Sequence, residues 1–378
     1  MKKTLLVGGT WDQTGGAKSG LVRKIENILS NKVQMMDTYN GGYFKDLTSI
    51  IKKTDQYDVV FWFANIPDNT LEKIRDVKSI APYTLLVTSK RNDFIKEGEK
   101  KYNFEELIQR ALSQKANLSF EFTKNINKNK YEIRVYDPLG CLWYQGYDIE
   151  TATQNAISRI EYMSSVTRKE SISIGERIDI IPTDRDIKFL EFVKQSAETF
   201  HKLMLLPDHV DRFVGNASLR FNKPTRCMNG FPGIRKNDTI LISKRNVDKT
   251  GITFNDFVPC KLGEKGEVTY LGNNKPSVDT PVQLRLFSKL KNIDYILHGH
   301  CYVKDAPITK MAIPCGALEE IDEVMECIQK NYKEDSDFIV LNLLGHGCLV
   351  MAGENKLNDM ASIDYIVRTI PERMINNN

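Results

Sequence analysis

Two hydrophobic periods alternate through the first 120 positions. Residues 4–8 form an apolar run that ends in glycines, and residues 21–29 carry apolar side chains at helical spacing. Residues 33–36 make a short strand ending at Asp37, and 44–51 a helix. The run DVVFWFA at 58–64 is continuously apolar, as in a strand buried on both faces, and YTLLVT at 83–88 repeats that pattern. Helical spacing at 71–80 and 104–112 and a further strand at 118–122 complete the series. Repeated β-α units predict a parallel sheet with helices on both faces, a Rossmann-like or flavodoxin-like α/β domain.

A hairpin follows. Residues 130–136 and 142–147 flank Asp137-Pro138-Leu139-Gly140, where Pro sets φ and Gly permits a positive φ. A helix over 149–163 comes next. Residues 166–175 are polar and aperiodic, which places a boundary there and predicts two domains, 1–168 and 176–378. The second opens with a long amphipathic helix over 184–204. Strands are predicted at 239–243, 295–300 and 338–344, and helices at 281–290, 318–331 and 360–370.

Composition narrows the partners. Of 378 residues, 41% are hydrophobic and 27% charged, with a net charge of +4, so nothing points to nucleic acid or to a membrane surface. The apolar run after Met1-Lys2-Lys3 is too short for a signal core, and no stretch reaches the roughly 20 apolar residues that span a bilayer. Seven cysteines without a CxxC pair argue against a disulfide framework or zinc ribbon. A cytoplasmic protein with reduced thiols is expected.

The chemistry concentrates late in the chain. His298-Gly299-His300 ends a predicted strand, and side chains two apart on a strand point the same way, so both imidazoles can face one cation. His346 stands between Gly345 and Gly347 at the end of another apolar run. Three of the five histidines thus occupy two strand ends. Histidine is the commonest ligand for zinc and similar metals. Two histidines hydrogen-bonded at a strand end is the plain alternative.

Five separated elements carry a resemblance. In order they are Gly215-Asn216-Ala217-Ser218-Leu219-Arg220, the strand Ile240 to Ser243, Lys275-Pro276-Ser277-Val278-Asp279, His298-Gly299-His300 and His346-Gly347. The series resembles the class II aldolase/adducin family in order and approximate spacing. That resemblance implies an α/β/α C-terminal domain. It also implies a divalent metal, zinc first among candidates, held by His298, His300 and His346. Asp279 would be the catalytic acid or base beside it. Asn216, Ser218 and Ser277 would bind substrate. The implied reaction is aldol cleavage or epimerisation of a small phosphorylated or anionic sugar-like hydroxyketone. A dehydratase on the same metal frame, or a non-catalytic adducin-like binding or sensor protein, are the alternatives. A homo-oligomer, in the family a tetramer, is implied as well.

The departures from the family pattern are specific. Asp279 is one methylene shorter than the usual Glu, and Val278 replaces a second serine. The loop after Ser243 is Lys244-Arg245-Asn246 rather than a Thr-Gly turn. Arg245 and Asn246 are candidates to hold the substrate anion, since a guanidinium can clamp a phosphate or carboxylate bidentately, although a surface arginine reads the same way.

In the first domain, Gly8, Gly9 and Thr10 end the first strand and Gly15 and Gly16 follow before a helix. Such a loop can present N–H groups to a phosphate, and Asp37 at the end of the second strand is where a ribose-binding acid would lie. A nucleotide site is therefore an expectation, set against a tight strand-to-helix turn and a surface Asp, because the spacing is not G-x-G-x-x-G.

Overall fold

The computed structural model describes residues 3–66, 77, 80, 81, 84–92, 101–125, 129–177, 179–203, 215–221 and 239–366. Most of the helix predicted at 71–80 lies outside these residues. The chain divides into two compact units between Ser165 and Val166.

The N-terminal unit is built on one seven-stranded sheet. Its strands are β1 (Lys3–Asp12), β2 (Met35–Tyr43), β3 (Val59–Trp62), β4 (Leu85–Arg91), β5 (Leu118–Asn125), β6 (Lys130–Tyr136) and β7 (Leu142–Gly146). They lie in the order β2-β1-β3-β4-β5-β6-β7. The pairs from β2 through β5 are parallel, whereas β5-β6 and β6-β7 are antiparallel. The predicted hairpin thus extends the parallel sheet. Its turn is closed by Asp137, whose carboxylate accepts from the N–H groups of Leu139 and Cys141. The described helices are α1 (Gly20–Ser30), α2 (Phe44–Ile51), α3 (Phe104–Ser113) and α4 (Ile149–Ser165). Asn103 and Glu106 form a reciprocal capping box that starts α3.

Two expectations about this unit need correction. β1 does not stop at the glycines: Gly8, Gly9 and Thr10 lie inside it, with an irregularity between Gly8 and Trp11 where it pairs with β2. β2 runs on to Tyr43, so Asp37 sits within that strand rather than at its end, and its carboxylate accepts from the Tyr57 hydroxyl. The glycines serve close backbone approach. A Cβ on Gly9 would come within 2.4 Å of the Gly41 nitrogen, and one on Gly16 within 2.0 Å of the Thr10 oxygen. A glycine pattern alone does not distinguish strand packing from a phosphate loop.

The C-terminal unit holds an eight-stranded sheet. Its strands are β8 (Ser171–Ser173), β9 (Asn216–Arg220), β10 (Thr239–Ser243), β11 (Phe257–Leu262), β12 (Val268–Tyr270), β13 (Tyr295–Gly299), β15 (Phe338–Leu343) and β16 (Gly347–Ala352), and β14 (Tyr302–Val303) pairs separately with β17 (Tyr365–Ile366). The sheet order is β15-β16-β13-β9-β10-β11-β12-β8, antiparallel except where β8 joins β12. The helices are α5 (Asp184–Leu203), α6 (Thr280–Lys289) and α7 (Glu320–Asn331). α5 begins where Thr183 and Asp186 cap each other's backbone N–H groups.

Alternation along the strands divides the core in two. Ile240, Ile242, Ile296, Leu341 and Leu349 pack with α6 and α7. Leu219, Leu241, Tyr295, Leu297 and Val350 pack with Phe189, Val193 and Phe200 of α5. Helices therefore cover both faces, giving three layers. The helix predicted over 360–370 is not formed at its start: Glu354–Ser362 is 3-10 helix and a strand follows at Tyr365, with residues beyond 366 outside the described range. No helix among the described residues is long and apolar enough to cross a membrane.

Candidate metal centre

The site grows from one face of three neighbouring strands. His298 on β13 stands opposite Asn216 on β9, and β16 lies on the other side of β13. Asn216, Ser218 and Arg220 alternate along β9, so all three point to the face that carries α6. Two residues of strand advance about 6.6 Å and four residues of helix about 6 Å, so the two spacings match. Asp279, at the N-cap of α6, meets Asn216, whose amide nitrogen donates to its Oδ2 at 2.8 Å. Gln283, four residues on, donates to the Asn216 carbonyl and accepts from the Ser218 hydroxyl. Arg220 donates to the Phe287 and Leu290 carbonyls at 2.8 and 2.9 Å, closing the C-terminal end of the helix. β9 thus clamps α6 at both ends and holds Asp279 in place.

This network gives two of the expected substrate groups, Asn216 and Ser218, partners within the protein. Ser218 is fully buried and bonded to Gln283. Asn216 is 1% exposed, with its oxygen and its nitrogen both engaged. They form the support of Asp279. Asp279 itself does not cap α6; its side chain turns toward the histidines, with Oδ2 3.9 Å from His298 Nε2.

His298, His300 and His346 converge. Their ring centroids are 4.9, 4.6 and 5.3 Å apart, and one donor nitrogen from each lies within 4.8 Å of the others. Gly299 is required between the first two because the Phe200 ring fills the opposite face: a Cβ there would lie 2.6 Å from it. His346 sits in the three-residue turn between β15 and β16, where Gly345 takes φ +69°. Gly347 packs directly on β13, since a Cβ would approach the Gly299 oxygen to 2.0 Å. The Tyr302 hydroxyl accepts from the Gly345 N–H at 3.0 Å and pins the turn. Cys301 and Cys348 are buried in the core on the opposite, α5 face.

Each of two ring positions is fixed from behind. His298 Nδ1 is 2.9 Å from the Cys348 carbonyl and therefore carries the proton. His346 Nδ1 is 2.6 Å from Glu320 Oε1, both residues being buried. Burial, then His346, push the His298 imidazole down to about 4. Burial also opposes charge on His346, but Cys315 and Glu320 beside it outweigh that and carry it well above an ordinary histidine. Glu320 is raised by burial, with His346 pulling the other way. Lys249, almost wholly buried, is pushed down to about 8 by desolvation.

The residues fit a divalent cation. His298 Nε2, His346 Nε2 and Asp279 Oδ1 are buried without a hydrogen-bond partner among the described residues. Leaving such a group unsatisfied costs about 1–3 kcal/mol each, so two unpartnered nitrogens on rings 4.6 Å apart are informative. Three imidazole nitrogens brought together in this way are a zinc-type set.

The remaining candidates are placed as follows. β10 continues beside the 275–279 loop, through Ser277 N–H to the Ser243 carbonyl and Arg245 N–H to the Lys275 carbonyl. This brings the two loops together. Arg245 and Asn246 are exposed there, Asn246 with φ +58°, and Ser277 is buried with its hydroxyl accepting from the Asp279 N–H at 3.4 Å. In the N-terminal unit the N–H groups of Thr10 and Gly16 donate to the carbonyls of Ala17 and Gly42. Gly15 faces the Tyr43 ring. Gln283 and Glu320 are site residues that the sequence reading does not single out. The spacing of Gln283 from Asp279, one helical turn, is the available signal; nothing in the sequence ties Glu320 to His346.

Residues 194–355 match the class II aldolase and adducin N-terminal domain family. The resemblance carried by the GNASLR, KPSVD, HGH and HG elements thus holds for the C-terminal half. Among solved structures, L-fuculose 1-phosphate aldolase is similar over 48% of this chain and 84% of its own, at 17% identity and a TM-score of 0.30. L-fuculose-1-phosphate aldolase from Thermus thermophilus is similar over 47% and 90%, at 16% identity and a TM-score of 0.27. A DNA/pantothenate metabolism flavoprotein from Streptococcus pneumoniae is similar over 43% and 98%, at 11% identity and a TM-score of 0.33. No curated protein matches the chain.

Proposed function

We propose that the C-terminal domain is a metal-dependent lyase or epimerase acting on a small phosphorylated or otherwise anionic hydroxyketone. The observation that carries this is the convergence of His298, His300 and His346 beside an Asp279 whose Oδ1 has no partner among the described residues. The three histidines would hold the cation. Bound by the imidazoles, a divalent cation would supply Lewis-acid charge for a substrate carbonyl and hydroxyl.

The rest follows from the chain's own groups. Asp279 is the candidate to move the proton: Asn216 fixes its Oδ2, which lies 3.9 Å from His298 Nε2, and its Oδ1 is left without a partner among the described residues. The convergence of the Arg245–Asn246 loop on the Ser277 loop offers donors for a substrate anion at the rim. Arg245, exposed and planar, suits a phosphate or carboxylate.

The parallel part of the N-terminal sheet runs β2-β1-β3-β4-β5. That order supports a flavodoxin-like doubly wound reading, in which ligands bind beyond the C-terminal strand ends. The nucleotide expectation gains no support from Thr10 and Gly16, whose N–H groups are engaged within the protein.

The test is to load the protein with zinc, manganese or cobalt and present a panel of phosphorylated ketoses. Release of a carbonyl fragment marks a lyase, and a changed carbon configuration by NMR marks an epimerase. Metal-loaded protein that converts no member of the panel overturns the proposal.

A further inference from the structure

Glu320 is an unusual residue to find where it is. It is the first residue of α7, 3% exposed, and its Oε1 lies 2.6 Å from Nδ1 of a histidine that is itself 1% exposed. A carboxylate is seldom buried without a partner or a purpose, because its desolvation is costly. Its position at a helix N-terminus offsets part of that cost, since the macrodipole favours negative charge there. The neighbouring Glu319 shows what an ordinary carboxylate does at this helix end: it accepts from the Thr167 N–H near the surface. Glu320 instead turns inward to a single imidazole.

Geometry gives that contact a direction. With Nδ1 held by Glu320, the other ring nitrogen of His346 points away from α7. It is Nε2, buried and lacking a hydrogen-bond partner among the described residues. His298 shows the same arrangement from a different source, its Nδ1 held by the Cys348 carbonyl and its Nε2 left over. The two rings lie 4.6 Å apart, so the two free nitrogens belong to one place. The backing groups differ in charge: one is a neutral carbonyl, the other a carboxylate.

We propose that Glu320 is a positioning residue for the cation site: it fixes the His346 ring with Nε2 inward and supplies a second carboxylate charge beside that of Asp279. This rests on the metal reading above. A carboxylate behind a ligating histidine selects the tautomer and raises the basicity of the opposite nitrogen; losing such a partner typically lowers metal affinity about 10- to 100-fold. Two carboxylates also match the charge of a divalent ion, whereas Asp279 alone would leave one positive charge buried and unbalanced.

The experiment is a titration of metal-stripped protein with cobalt(II), read by its visible absorption, on wild type, Glu320→Gln, Glu320→Ala and Glu319→Gln. Wild type and Glu319→Gln are expected to bind one equivalent with the same spectrum. Glu320→Gln is expected to bind about 10-fold more weakly and Glu320→Ala about 100-fold. Nitrogen-15 NMR of the zinc-loaded proteins should show His346 protonated on Nδ1 in wild type and a mixed or altered state in Glu320→Ala. Should either variant fail to fold, the other, together with the NMR of wild type, decides the matter. Wild-type affinity and spectrum in both Glu320 variants overturn the positioning role while leaving the metal site standing. Failure of wild type to bind cobalt or zinc overturns the metal reading itself, and this inference with it.

Discussion

Asn216 stands directly across the sheet from His298 and, in the same position, donates to Asp279 at 2.8 Å. One residue therefore sets the distance between a histidine on a strand and a carboxylate on a helix. The sheet register and the helix docking are not independent at this site. A shift in either would move Asp279 relative to the imidazoles.

One divalent ion per chain is expected, held by the three histidines. Elemental analysis of protein loaded and then desalted should give a stoichiometry near one. His298→Ala and His346→Ala should each lose it, whereas His201→Ala, on α5 and outside the cluster, should keep it. A stoichiometry near zero in wild type defeats the site.

Asp279→Asn should retain the metal and lose turnover. The amide keeps the shape that Asn216 contacts but cannot accept a substrate proton, and such a loss typically costs about 100- to 10,000-fold in rate. Rates are to be compared on whichever ketose the wild type converts. An unimpaired variant would remove Asp279 from the reaction.

Gln283→Leu should destabilise the domain without touching a histidine. It strands the Asn216 oxygen and the Ser218 hydroxyl in a buried position, at about 1–3 kcal/mol each. Thermal melts should show a fall on the order of 5–10 °C. A melt matching wild type would mean that the chain of amides is replaced by water at no loss.

Lys249 gives a pH signature. Its ordinary value is 10.5 and burial brings it to about 8 in the folded protein. Between those values the unfolded chain binds the extra proton, so stability rises with pH there. Below about 8 the full penalty of burying the ammonium is present; above 10.5 it has vanished. Lys249→Met should therefore melt higher than wild type at about pH 7, with the gap closing toward about pH 10. A gap that is constant across this range would assign the gain to packing instead.

We expect a symmetric homo-oligomer, a tetramer by the family resemblance. Closed rotational assemblies are the usual form for soluble oligomers. Light scattering on active protein at several concentrations should return a multiple of the chain mass. A mass of one chain at every concentration would exclude it.

Much of the C-terminal site is legible in the sequence because its signals are local. HGH at the end of an apolar run marks His298 and His300 as neighbours, although β13 ends at Gly299, one residue short of the predicted strand, and His300 lies just beyond it. His346 is marked by its glycines. Motif order does not say that Asn216 bonds Asp279 or that Ser218 bonds Gln283; that requires the register of β9 against α6. The sequence does not separate β9, β11, β12 and β16 as strands, and the antiparallel order of the sheet lies in pairings far apart in sequence. In the N-terminal unit the alternating β-α pattern suffices for the parallel sheet. The glycines are ambiguous in the sequence, because close packing of Gly9 on Gly41 uses the same residue type as a phosphate loop.

β13 is flanked by β9, far upstream, and by β16, well downstream. While the chain is being synthesised, the strand that bears His298 and leads into His300 must wait for its second neighbour. At about 5–20 residues per second that delay lasts several seconds, with one edge of a wholly buried strand open. The same downstream hairpin carries His346. A nascent chain therefore has two donors in reach before the third exists, and the closure of an aggregation-prone edge coincides with completion of the donor set. On the metal reading proposed above, an ion arriving early would meet an incomplete donor set.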